Sequence, residues 1–101
     1  MDLSQEQWLS KQNEVSDNVI LDVRTPMEFN EIRIPNSKLL DISSPNDFLE
    51  GLKLLDKSKS YFIYCRSGNR SSQACSVMQS MGFDKTYNLV GGIIDWSGIT
   101  E

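Results

Sequence analysis

The run Ser60-Tyr61-Phe62-Ile63-Tyr64, followed at once by Cys65-Arg66-Ser67-Gly68-Asn69-Arg70-Ser71, does most to limit what this chain can become. The first five residues are aromatic and β-branched and read as a buried strand. From Ser72 to Met81, the residues Ala74, Val77, Met78 and Met81 recur at helical spacing, and Gly82 is a good stop. A cysteine therefore stands where a strand ends and a helix begins. The backbone N–H groups of such a turn can point inward, and the helix start adds partial positive charge. Together they make a cradle for an anion. The same field favours a thiolate and should lower the pKa of Cys65. Arg66 and Arg70 add fixed positive charges, and Gly68 permits backbone angles that a side chain forbids.

The rest of the chain alternates strands and helices around this unit. Ser4-Gln5-Glu6-Gln7 matches a capping box, and a short helix to about Gln12 follows, with Leu3, Trp8 and Leu9 as apolar contacts. Val19 to Val23 is a mostly apolar run, as expected of a strand covered on both faces. Thr25 is an N-cap candidate with Pro26 at the first helical position, opening a helix to about Ile32. Ile34 to Ser37 is a turn and Lys38 to Ile42 a strand. Ser44 and Pro45 open a helix of about Asn46 to Leu54, with Phe48, Leu49, Leu52 and Leu55 on one face. Lys85 to Val90 is a last strand, Gly91-Gly92 a tight turn, and Ile93 to about Ser97 a final helical turn carrying Trp96. The expectation is an α/β fold in three layers, with a mostly parallel central sheet flanked by helices. In such sheets ligands sit at the carboxyl ends of the strands, where Asp22-Val23-Arg24, the Cys65 loop and Gly91-Gly92 all fall.

The chain has 101 residues, enough for one domain over residues 1–101 that buries roughly two-thirds of its unfolded surface. A net charge of −4 argues against nucleic acid and against a polybasic membrane anchor. No apolar run approaches the ~20 residues of a membrane span. The start, Met1 to Glu6, lacks a basic region followed by an apolar stretch, so the expected location is the cytoplasm. There is no histidine, which removes Ser-His and Cys-His catalysis and most zinc sites. No metal and no cofactor is expected. The only two cysteines, Cys65 and Cys75, fall on one loop–helix unit and are not expected to form a structural disulfide.

At this point the residues resemble a known family, the single-domain rhodanese or thiosulfate sulfurtransferase domain. The matching pieces are Asp22-Val23-Arg24 with Glu28-Phe29, Ile34-Pro35, Cys65 to Ser71, Gly82-Phe83, and Gly91-Gly92 with Trp96. They stand in the family's order over nearly the whole chain. One departure is clear: where the family usually has Gly-His-Ile-Pro-Gly-Ala, this chain has Ile32-Arg33-Ile34-Pro35-Asn36-Ser37.

The resemblance implies transfer of a sulfane sulfur. Cys65 would attack the outer sulfur of a small anionic donor such as thiosulfate, sulfite would leave, and a thiol, a protein acceptor or cyanide would take the sulfur from the Cys65 persulfide. Arg66, Ser67, Gly68, Asn69, Arg70 and Ser71 are the expected substrate cradle, the last also a possible helix cap. Arg66 has a second option, pointing outward to a partner. Asp22 and Arg24 are expected to brace the strand end as an ion pair. Cys75 reads as a small core residue, with a resolving thiol as the lesser alternative. Trp96 packs or lines the pocket mouth.

Two other functions compete. Cysteine phosphatases and arsenate reductases also use a cysteine-to-arginine loop, but with five intervening residues; here four separate Cys65 from Arg70. The second is a non-enzymatic persulfide carrier or regulatory interaction module.

Overall fold

Ser60–Tyr64 is the central strand of a five-stranded sheet, and all five of its residues are buried. The computed structural model describes residues 1–101. In chain order the elements are β1 (Asp2–Leu3), α1 (Gln5–Glu14), β2 (Asn18–Asp22), α2 (Pro26–Glu31), β3 (Ser37–Leu39), α3 (Pro45–Lys53), β4 (Ser60–Tyr64), α4 (Asn69–Ser80) and β5 (Thr86–Leu89). A turn of 3-10 helix, Ile93–Asp95, follows β5. The strands lie in the order β1-β5-β4-β2-β3, and every pair is parallel.

The alternation of side chains along β4 builds two cores. Tyr61 and Ile63, with Cys65 beyond them, pack with Phe48 and Leu52 of α3 and with Ala74, Cys75 and Met78 of α4. Phe62 and Tyr64 face the other way, onto Trp8 of α1, with Trp96 packed alongside. Trp8 meets Phe62 and Trp96 edge-on, each at 5.8 Å, and its indole N–H donates to the Tyr87 carbonyl at 3.1 Å. A buried tryptophan of this kind, cut to alanine, costs about 3–5 kcal/mol. Helices on both faces make three layers. No helix is long and apolar enough to cross a membrane.

The caps predicted at Ser4 and Thr25 form. Ser4 and Gln7 close a capping box, and Thr25 closes another with Glu28 ahead of which Pro26 takes the first turn. Ser44 stands at the cap of α3 but makes no side-chain cap bond. Apart from β4, the element bounds move by a residue or more. β1 was absent from the sequence expectation, since two residues carry no period; they form an edge strand on β5, with Asp2 opposite Asn88. α1 runs to Glu14, beyond Gln12, and Leu9 lies exposed on it. β2 and β3 begin earlier than expected, and β3 stops at Leu39 instead of Ile42. Leu49 is exposed on α3, so Phe48 and Leu52 alone hold that helix's buried stripe. β5 is shorter at both ends than Lys85 to Val90, and the last helical turn ends at Asp95.

The departure at Ile32 to Ser37 keeps a tight turn. Pro35 and Asn36 occupy its centre, the Ser37 N–H donates to the Ile34 carbonyl at 3.3 Å, and Asn36 takes φ 67°. Asparagine is the side chain best able to replace glycine there. The turn is anchored to β4 by the Tyr64 hydroxyl, which accepts from the Ile34 N–H and donates to Ser37 Oγ, each at 3.1 Å.

Candidate active site at the β4–α4 turn

Cys65 follows the last residue of β4, and α4 begins at Asn69. The helix therefore starts three residues before the expected Ser72, and takes Asn69, Arg70 and Ser71 into its first turn. Gly68 is the N-cap, with φ 108°. This backbone conformation is one that L side chains avoid, and it turns the Gly68 N–H onto Cys65 Sγ at 3.1 Å. Ser71 is not the cap. It lies buried in the first turn of α4, with its hydroxyl 3.4 Å from Cys65 Sγ.

The turn is clamped from its far side by the segment after β5. The Ile93 and Ile94 N–H groups donate to the carbonyls of Cys65 and Arg66, both at 3.0 Å. Gly92 is pressed against the same two residues; a Cβ there would lie 2.6 Å from the Cys65 carbonyl oxygen.

Cys65 is 1% exposed, yet its thiol is held below the ordinary value. Burial is the largest single influence and acts upward. The Ser71 hydroxyl and the N–H groups of Ser71, Gly68 and Ser67 outweigh it. The backbone N–H groups of the helix start thus act as expected, joined by the Ser71 hydroxyl, whereas the two arginines are not among the main causes. Arg66 is exposed and makes no ion pair, and it contributes its backbone carbonyl to the clamp. Arg70 does act on Cys65 through its charge, but its guanidinium is engaged by the Glu28 carboxylate, with contacts of 2.7 and 3.0 Å. Asn69 and Ser67 are exposed and line a shallow polar depression beside Gly68 and Asn88. Of the seven predicted site residues, the fold gathers Cys65, Ser67, Gly68 and Ser71 around the sulfur and sets Arg66, Asn69 and Arg70 at its border.

Two residues at the site escaped the sequence reading. Glu28 was noted only as part of a motif, and its partner on α4 is 42 residues away. Asn88 is a buried polar residue on β5 whose amide reaches Ser71 and Gly68. Its signal was the alternation Thr86, Asn88 against Tyr87, Leu89, which puts both polar residues on one face.

Asp22 and Arg24 form the expected buried brace. The guanidinium meets the carboxylate at 2.6 and 2.9 Å and donates onward to the Ile32 carbonyl at 2.6 Å. A cleft of about 530 Å³ opens beside the site, lined by Arg24, Glu28, Arg66, Ile93 and Trp96 among others. Trp96 therefore both packs on Trp8 and lines the mouth. Cys75 is buried among α4's core contacts, and burial pushes its thiol up to about 11. It is a core residue, as its place on the helix predicts, and it stays protonated at neutral pH.

Comparison with known proteins agrees with this fold. The profile of the rhodanese-like domain matches residues 5–99. The chain is 36% identical over 85 residues to a sulfurtransferase of Allochromatium vinosum, a match spanning 83% of this chain and 76% of that protein. Among solved structures, a rhodanese-related protein from Thermoplasma volcanium superposes with a TM-score of 0.82 at 26% identity, covering 99% of this chain and 96% of the other. A rhodanese-like domain protein from Staphylococcus aureus gives 0.78 at 28% identity, covering 95% and 90%.

Proposed function

This chain belongs to the rhodanese-like domain family, and from that premise we propose that it transfers a sulfane sulfur through a persulfide on Cys65. The observation that carries the reading is the convergence of the Gly68 N–H and the Ser71 hydroxyl on one buried, acidified thiol at a strand-to-helix turn. The backbone N–H groups stabilise a thiolate there as fixed dipoles that need no rearrangement during reaction.

The first step suits a small anionic donor such as thiosulfate. The Cys65 thiolate bonds to the sulfane sulfur, the bond from that sulfur to the sulfonate group breaks, and sulfite leaves with the electron pair. The negative charge on the outer sulfur of the persulfide is of the kind that inward N–H groups hold. In the second step an acceptor thiolate, on a small molecule or on a protein, or cyanide attacks the outer sulfur. Cys65 departs as thiolate. No proton has to be delivered to either leaving group, which suits a site without histidine. The depth of the sulfur favours slim donors over bulky ones.

The test is the mass of the intact protein after thiosulfate and then after cyanide. A gain of one sulfur atom that maps to Cys65, is lost to cyanide and is absent from Cys65→Ser supports the reading. A folded, reduced protein that gains no sulfur from thiosulfate but gains it from a persulfide donor would make the chain a sulfur carrier, and no gain from either would overturn the proposal.

A further inference from the structure

Strand β5 shows two polar side chains to α4. Thr86 meets Gln79, and Asn88 meets Ser71, while Tyr87 and Leu89 face the opposite core. The Asn88 amide has a defined orientation. Its Nδ2 faces the Asp2 carboxylate at 3.0 Å and the Gly68 carbonyl at 3.4 Å, two groups that only accept. Its Oδ1 therefore faces Ser71 Oγ, 2.5 Å away, and the serine is the donor. The Ser71 hydroxyl has one hydrogen and three acceptors within reach: Asn88 Oδ1, the Gly68 carbonyl at 3.1 Å and Cys65 Sγ at 3.4 Å. The shortest contact is with Asn88. In that state the hydroxyl hydrogen is turned away from the sulfur. When Cys65 is a thiolate, the hydroxyl has to turn to the sulfur, which leaves a buried amide oxygen without its donor.

We propose that Asn88 is a positioning residue for Cys65, whose side-chain carbonyl competes with the sulfur for the single Ser71 hydroxyl hydrogen and so limits how far the thiolate is favoured. Such a limit suits a sulfur that must both attack and leave. A thiolate stabilised too far is a weaker nucleophile, whereas a donor that swings onto the sulfur as it departs assists the second step. The inference rests on Cys65 being the nucleophile and is independent of the donor. Other charged groups surround the turn: Arg70 with Glu28 from α4 and α2, Asp22 with Arg24 at the end of β2, Arg66 on the turn itself, and Asp2 from β1 through Asn88. The variants below leave each of these residues in place.

The experiment is the pH profile of Cys65 alkylation in wild type, Asn88→Leu, Ser71→Ala and the double variant. Leucine matches asparagine in shape. Its introduction orphans no buried acceptor, because the Gly68 carbonyl keeps the Ser72 N–H at 3.0 Å and Asp2 is exposed. Asn88→Leu is expected to lower the midpoint by roughly 0.5–1 pH unit, the size of one net hydrogen bond. Ser71→Ala raises it, and the double variant matches Ser71→Ala. A midpoint that rises or stays put in Asn88→Leu, or a downward shift that persists without Ser71, overturns the proposal. Asn88→Ala carries the same expectation should the leucine variant not fold. Alkylation requires no turnover, so failure of the sulfur-transfer reading leaves this test standing.

Discussion

Glu28 and Arg70 join α2 to the first turn of α4 through a two-point ion pair, with contacts of 2.7 and 3.0 Å. The same carboxylate accepts from the Thr25 N–H at 3.2 Å and from the Thr25 hydroxyl at 3.1 Å. One side chain thus completes a helix cap and holds an arginine beside the cysteine turn.

Replacing that carboxylate tests the link. The Arg70 guanidinium holds the Glu28 carboxyl down at about 2. Because this lies below the ordinary 4.5, the pair's stabilisation is complete above that value and is lost as the pH falls through about 2. Glu28→Gln should cost roughly 1 kcal/mol at neutral pH, the upper end for a partly exposed pair. It should also flatten the loss of stability between pH 4.5 and 2. Urea unfolding across that range checks both, and an acid limb as steep as that of wild type would contradict the assignment.

The lowered Cys65 thiol predicts a reactivity profile. In the native protein its alkylation should rise with pH and level off with a midpoint below the ordinary thiol value of 9.0. Denaturation removes the N–H and hydroxyl donors, so the midpoint should return upward. Peptide mapping of the labelled protein distinguishes the two cysteines.

Cys75 should behave in the opposite way. Its buried thiol, pushed up to about 11, stays protonated at neutral pH and resists labelling until the protein unfolds. Cys75→Ala is expected to leave sulfur loading unchanged while lowering stability by about 1–2 kcal/mol through a small packing loss. A loss of loading in a folded variant would give Cys75 a chemical part.

Gly92→Ala probes the clamp on the turn. The position has φ 61°, and a Cβ would collide with the backbone of Cys65 and Arg66. The expected result is a loss of about 2 kcal/mol or more together with a raised Cys65 midpoint, as the Cys65 backbone is displaced relative to the Ser67, Gly68 and Ser71 N–H groups. Thermal unfolding and alkylation read the two effects separately.

Asn36 offers a contrast at a distance from the sulfur. Asn36→Gly should be close to neutral, because φ 67° suits both residues. Asn36→Val should cost about 1–2 kcal/mol, the strain of a branched side chain in the left-handed region. Equal stabilities for the two variants would show that the turn has rearranged.

Much of the fold was legible because its signals are local. The run Ser60–Tyr64 matches its strand residue for residue, Ser4 closes its box with Gln7, Thr25 caps α2 ahead of Pro26, and Gly68 takes the positive φ that the turn requires. The edge strand Asp2–Leu3 was not legible, since its only reason to exist is the partner strand near the other end of the chain. The early start of α4 was missed because Asn69 and Arg70 carry no apolar period; the left-handed glycine before them sets the first turn.

The site divides in the same way. The sequence alone placed a cysteine at a strand-to-helix turn with a helix start and backbone N–H groups around it, because these depend on residues adjacent in the chain. Tertiary structure decided what those residues do with their side chains. Arg70 is drawn to Glu28 by a carboxylate that arrives with α2, and the Ser71 hydroxyl is claimed by an amide that arrives with β5. Hydrogen bonds and ion pairs act over a few ångströms whatever the separation along the chain. Their partners are therefore known only once the sheet has brought the strands together.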